Sequence, residues 1–275
     1  MRGAVKQNIL NRMTSELRFY DSITDADGNA QGQIGISGSH GGLFAAACAS
    51  RAGLRAVVLN DAGIGLHDAG IAGVRALADL GMAACAVDCM SAEIGSARDS
   101  FDTGVISYAN SVAQALGIRP GQSVKDAASL LVKAPEPTGI MAAVPESRTL
   151  ISVGDLEVLS VDSASLITPE DAARTIVTGS HGGLIGGNPA RACKAEARFD
   201  SFSDAGIGTN DNRLSRRPAL DTSSIAAVTL DCQTCEIGNS ASALQTGIIS
   251  ATNRTAEALG IKRGMPLSDA IRLLA

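Results

Sequence analysis

A chain of 275 residues with 3% aromatic residues, no tryptophan and a formal charge of −5 offers neither stacking platforms for single-stranded nucleic acid nor the excess of lysine and arginine that a polyanion partner requires. Its length suits two domains of ordinary size, and no stretch approaches the ~18 apolar residues of a membrane span. Six cysteines without a disulfide-type spacing suggest reduced thiols, so a cytoplasmic protein with no membrane partner is expected.

The dominant feature is an internal duplication. Gly38-Ser39-His40-Gly41-Gly42-Leu43 returns as Gly179-Ser180-His181-Gly182-Gly183-Leu184. Around this anchor Asp61-Ala62-Gly63-Ile64-Gly65 returns as Asp204 to Gly208, Asp88-Cys89 as Asp231-Cys232, and Glu93-Ile94-Gly95 as Glu236-Ile237-Gly238. Ala115-Leu116-Gly117-Ile118 likewise returns as Ala258 to Ile261, and Asp21-Ser22 as Asp162-Ser163. The repeating unit therefore covers about 17–131 and again about 158–274.

In chain order, 5–13 reads as a helix and 17–20 as a strand. Segment 33–37 is a short strand, 43–53 an alanine-rich helix ended by glycine, 54–59 a second strand, 69–81 a helix and 82–87 a third strand. Fully apolar strands alternating with helices indicate a parallel sheet covered on both faces, with right-handed crossovers. Segments 102–116 and 123–133 are expected as two further helices, repeated at 246–259 and 267–274. Ala134-Pro135-Glu136-Pro137-Thr138 reads as a linker, and 149–153 with 156–161 as a hairpin turning at Gly154-Asp155. The expectation is an α/β protein of two tandem homologous βαβαβ units with mostly parallel sheets flanked by helices, related by a pseudo-twofold. Its divisions are 1–133, a first repeat with an N-terminal helix; 134–155, linker and hairpin start; and 156–275, the second repeat.

Three polar loops repeat most faithfully, and in this topology each follows the C-terminal end of a strand, where open α/β sheets bind ligands. In the first loop, Ser39-Gly41-Gly42 and Ser180-Gly182-Gly183 would place glycine amides at a helix start, a cradle for a carboxylate, phosphate or oxyanion; the bland role is an N-cap with tight packing. His40 and His181, two of only three histidines, coincide under the duplication and are candidate bases. Asp61 and Asp204 open the second loop and can orient a histidine, bind a cation or cap the turn. The third loop carries Cys89 and Cys232, candidate nucleophiles or half-buried packing residues, with Glu93 and Glu236 as substrate contacts. Cys232-Gln-Thr-Cys235 has a CxxC spacing that its counterpart Cys89-Met-Ser-Ala92 lacks, which argues against a metal or redox role for it.

The repeats differ at His67, which becomes Asn210, at Asn60, which becomes Ser203, and in a basic cluster from Arg213 to Arg217. Only one of the two rims is therefore expected to retain full chemistry. Two function classes follow. One is a small-molecule enzyme, hydrolase or isomerase in type, acting on a small anionic or amide-bearing metabolite without an organic cofactor; a variant places Asp61, Asp88, Glu93 and His40 on a divalent metal. The other is a non-catalytic anion-binding or sensor module. Three independently placed polar loops favour the enzyme, since a simple anion cradle needs one. A homo-oligomer is compatible with either.

Overall fold

The computed structural model describes residues 15–206 and 215–275; the helix expected at 5–13, and Asn210 and Arg213, lie outside the described residues. The chain forms an α/β fold of two similar units. One comprises Met1–Asp61 with Ile71–Val144, the other Ala62–Gly70 with Pro145–Ala275. Most of the loop after the third strand of the first repeat thus belongs to the second unit.

The first unit contains a five-stranded sheet in the sequential order β1 (Leu17–Tyr20), β2 (Ile34–His40), β3 (Ala56–Asn60), β4 (Ala83–Val87) and β5 (Ile106–Ala109). β1 to β4 run parallel, and β5 adds antiparallel to β4. Side chains alternate between faces along each strand. Ile34, Ile36, Ala56, Val58 and Cys85 pack with Ala113, Val124, Ala128 and Leu131 on one side. Val57, Leu59, Ala84 and Ala86 pack with Ala45, Ala49, Val74 and Leu77 on the other. Burial on both sides accounts for the uninterrupted apolar strands, each fully buried valine or leucine contributing about 1.5–3 kcal/mol. The glycine between the helices matters as much. A Cβ on Gly73 would lie 2.3 Å from the Gly42 carbonyl, so only glycine lets the helix Ala72–Ala76 lie this close to the start of the helix Leu43–Arg51.

The single helix expected at 102–116 is instead helix, strand and helix. Ala97–Thr103 stops at Gly104, β5 follows, and Ser111–Ala115 resumes. A Cβ on Gly104 would meet the Ser100 carbonyl at 2.2 Å, which closes the first helix there. Asn110 caps the next one, accepting the Ala113 amide at 3.0 Å; its amide nitrogen donates to the carbonyls of Met82 at 2.8 Å and Val74 at 3.2 Å. The second repeat makes the same correction through Gly247, Ile249–Thr252 and Asn253.

The second unit contains six strands in the order β11 (Ile249–Thr252), β10 (Ala226–Leu230), β9 (Phe199–Ser203), β8 (Thr175–His181), β7 (Leu156–Val161) and β6 (Arg148–Val153). β7 to β10 are parallel, while β6 and β11 are antiparallel edges. The hairpin β6–β7 turns at Gly154, whose φ of 62° suits glycine. The alanine-rich helix of the first repeat has no equivalent here. Short 3-10 turns at Ile185–Gly187 and Pro189–Arg191 replace it, because Gly186 at φ 62° and Pro189 cannot propagate an α-helix. Among the described residues, no helix is long and apolar enough to cross a membrane.

Candidate functional site

Strand register places the strand ends that open the three polar loops of each repeat on one rim. In the first unit His40 pairs with Asn60, and Asn60 with Val87, so His40, Asp61 and Asp88 emerge at the same end of neighbouring parallel strands. In the second, His181 pairs with Ser203 and Ser203 with Leu230, which sets His181, Asp204 and Asp231 side by side in the same manner.

Within each rim the closest gathering joins two aspartates and a cysteine. Donor atoms of Asp61, Asp88 and Cys89 lie within 4.8 Å of one another, as do those of Asp204, Asp231 and Cys232; among the described residues neither group includes a histidine. Backbone amides build the arrangement. The Cys89 amide donates to Asp61 Oδ1 at 2.9 Å, and the Met90 amide to Asp88 Oδ1 at 2.7 Å. The Cys232 and Gly206 amides both donate to Asp204 Oδ1 at 3.1 Å, and the Gln233 amide to Asp231 Oδ1 at 2.9 Å. Asp61 and Asp204 therefore fix the Asp-Cys turn rather than a histidine. The turn they open is strained: Ala62 and Ala205 hold φ values of 49° and 52°, a left-handed geometry that costs an L residue about 1–2 kcal/mol.

The histidines stand one strand farther along. Neighbouring strands are about 4.8 Å apart, so His40 and the Asp88-Cys89 turn are roughly 10 Å apart across the sheet. His40 Nδ1 accepts the Gly42 amide at 3.1 Å, which makes Nε2 the protonated nitrogen. Although the ring is partly exposed, desolvation by the surrounding protein pushes its pKa down to about 4. His40 is a neutral hydrogen-bond donor at physiological pH. His181 is buried.

The glycine amides expected to cradle an anion are largely engaged within the protein. Gly41 donates to the Asn60 carbonyl at 2.8 Å and Gly182 to the Ser203 carbonyl at 2.8 Å, while Gly42 donates to His40. Neither serine caps a helix. Ser39 Oγ accepts the Ile23 amide and Ser180 Oγ the Ala164 amide, each at 2.9 Å, anchoring the segment before each strand. The Gly183 carbonyl accepts from Arg216 Nε at 3.0 Å. In the first unit the amides of the helical turn beginning at Leu43 remain the natural anion donors; at the equivalent position of the second unit the described residues form short 3-10 turns instead.

The second unit holds a cavity of about 390 Å³ on this rim, lined by Asp204, Asp231, Cys232, Gln233, Ser250 and Arg263 among others. Burial raises the Asp204 pKa. Burial and the adjacent Asp204 carboxylate push the Cys232 thiol to about 12, and burial pushes Cys235 likewise to about 12, so neither is a resting thiolate. Ala62–Gly70 lies against this turn: the Leu66 amide donates to the Cys232 carbonyl at 2.8 Å and Gln233 Nε2 to the Gly63 carbonyl at 3.2 Å. A Cβ on Gly63 would come within 2.7 Å of Gly206 Cα and 3.0 Å of Cys232 Sγ. His67 Nδ1 meets Glu236 Oε1 at 2.8 Å, and Asn239 donates to Glu236 Oε2 at 2.8 Å. The His67 contact holds the Glu236 carboxyl below its usual range. In the first unit the Glu93 amide is held by Asp99 Oδ2 at 2.6 Å.

Two carboxylates and a thiol form a mixed oxygen and sulfur donor set, suited to zinc before magnesium or calcium. Sequence reasoning gave Asp88 a role only in the divalent-metal variant, with His40 and Glu93 that the cluster does not include, and gave Asp231 none, although their duplication was visible. It missed Gln233, Ser250 and Arg263; the available signal was divergence, since the equivalent positions of Gln233 and Arg263 are Met90 and Pro120. In comparisons with known proteins, the chain matches no family model, no curated protein and no solved structure.

Proposed function

We propose that this protein is a small-molecule enzyme of hydrolase or isomerase type, acting on a carboxylate- or amide-bearing metabolite at the strand C-terminal rim of the second unit. One observation carries the reading: Asp204, Asp231 and Cys232 bring their donor atoms within 4.8 Å on the wall of a cavity of about 390 Å³, a volume within the range of small-ligand sites. Asp231 is the base. Cys232, protonated at rest, is the proton donor, and becomes a nucleophile only when a carboxylate takes its proton. A proton transfer at a carbon next to a carboxylate then moves one proton to Asp231 and returns one from the thiol. Histidine assistance in this scheme falls to His181, two strands along the same rim from Asp231.

A screen of carboxylate and amide metabolites for turnover, followed by Cys232→Ser and Asp231→Asn, tests the proposal; full activity in both variants removes the chemistry from this site. Metal analysis of the purified protein separates the two versions of the mechanism, a stoichiometric ion supporting coordination by these three donors.

A second reading, a non-catalytic anion-binding or sensor module, is favoured by the protonated Cys232 thiol and by the Arg263 cation on the cavity wall. Saturable ligand binding without turnover anywhere in the screen would select it.

A further inference from the structure

The cavity of the second unit is electrostatically two-sided. Its acidic side is Asp204 and Asp231 with the Cys232 thiol between polar neighbours. Asp204 Oδ1 is engaged by two amides, but Asp231 Oδ2 takes no hydrogen bond from any described residue; only Oδ1 is used, by the Gln233 amide. The opposite charge is supplied by Arg263, which lines the same cavity and makes no hydrogen bond or ion pair with any described residue. A guanidinium in this state suits bidentate pairing with a carboxylate. Gln233 and Ser250 add amide and hydroxyl groups to the wall.

The internal repeat supplies an independent argument. Both copies keep the Asp-Asp-Cys cluster, yet Gln233 stands where the first repeat has Met90, and Arg263 where it has Pro120. The second copy therefore differs by a hydrogen-bonding group and a cation placed on the cavity wall. A cation and an unfilled carboxylate oxygen in one small cavity select a ligand that carries both complementary charges. A simple acid would satisfy Arg263 and be repelled by Asp231, whereas a simple amine would do the reverse.

We infer that this cavity binds a small zwitterion of the α-amino-acid class, its carboxylate on Arg263 and its ammonium on Asp231, which narrows the substrate class and rests on the enzymatic reading proposed above. Water is excluded around the thiol when the ligand is seated, and the ligand's ammonium offsets the negative charge that otherwise opposes thiolate formation.

Isothermal titration of the full chain with L-alanine, L-serine and L-glutamate, beside propionate and propylamine as half-ligands, tests the inference. At least one amino acid is expected to bind ten-fold or more tightly than either half-ligand. Arg263→Gln should lower amino-acid affinity about ten-fold while leaving propylamine unchanged, and Asp231→Asn should lower it while leaving propionate unchanged or stronger. Arg263 is exposed, and asparagine retains the acceptor for the Gln233 amide, so thermal melts of both variants should match the parent. Absence of amino-acid binding, or amino-acid affinity insensitive to Arg263→Gln, overturns the inference. Turnover of an acid lacking an amine would overturn it while sparing the enzymatic reading; tight amino-acid binding with no turnover would do the opposite.

Discussion

Arg216 of the second repeat occupies the position held by Gly73 in the first. The Arg216 amide donates to the Gly182 carbonyl at 3.0 Å, as the Gly73 amide donates to the Gly41 carbonyl at 2.9 Å. Gly73 has no room for a side chain, whereas Arg216 extends into the region where the second repeat lacks the alanine-rich helix. Its guanidinium donates to the carbonyls of Gly183 at 3.0 Å and Ala192 at 2.8 Å, and lies 4.9 Å from the Phe202 ring centroid. Arg216→Ala strands these two buried carbonyls, and should lower stability by about 2–5 kcal/mol, read as a shift in the urea midpoint at unchanged slope.

Asp200 sits on β9 where the first repeat has Val57. Burial raises its pKa, with the Cys193 thiol and the Arg216 guanidinium as polar neighbours. The folded chain then keeps a proton that the unfolded chain releases near pH 4. Stability from this group is full below that pH and falls as pH rises toward the raised folded value, by up to about 1.4 kcal/mol per pH unit. Asp200→Asn is expected to flatten the decline between pH 5 and 7 in urea melts.

His40 gives the opposite slope. Its pKa is pushed down to about 4 from an ordinary 6.5, so between these values the unfolded chain holds a proton that the folded chain refuses. Stability falls as pH drops through this window, by roughly 3 kcal/mol in all, and His40→Gln should abolish that component. Nitrogen NMR should find His40 as the neutral ring protonated at Nε2 down to about pH 4; a titration near 6.5 would contradict the hydrogen bond from Gly42.

Cys232 should alkylate slowly. With its thiol at about 12, the thiolate fraction at pH 8 is about a thousand-fold below that of an ordinary cysteine. Asp204 contributes to the upward shift, so Asp204→Asn, which retains an acceptor for the Cys232 amide, should accelerate iodoacetamide labelling of Cys232 measured by peptide mass analysis.

The duplication, the apolar parallel strands, the Gly154-Asp155 hairpin and the gathering of the loops on strand C-terminal ends were all written in local sequence. β5 and β11 were not. Ile106–Ala109 lies in a run that also fits a helix, and pairing with β4, together with the stop at Gly104, decides between them. The missing helix after Gly183 was announced by Gly186, Gly187 and Pro189, signals that similarity to the first repeat obscured. At the site, residue types and loop positions were legible, but hydrogen-bond allocation was not. Whether an aspartate faces a histidine or a backbone amide depends on turn geometry, and here Asp61 and Asp204 face the amides of Cys89 and Cys232.

The most direct measurement compares kcat/KM of the parent with those of Asp231→Asn and Asp88→Asn, using a substrate found in the metabolite screen. Removing the base of the second unit is expected to lower kcat/KM at least 100-fold with an unchanged melting temperature, while Asp88→Asn has a much smaller effect. Parental activity in Asp231→Asn would contradict the assignment of the chemistry to the Asp204, Asp231 and Cys232 rim.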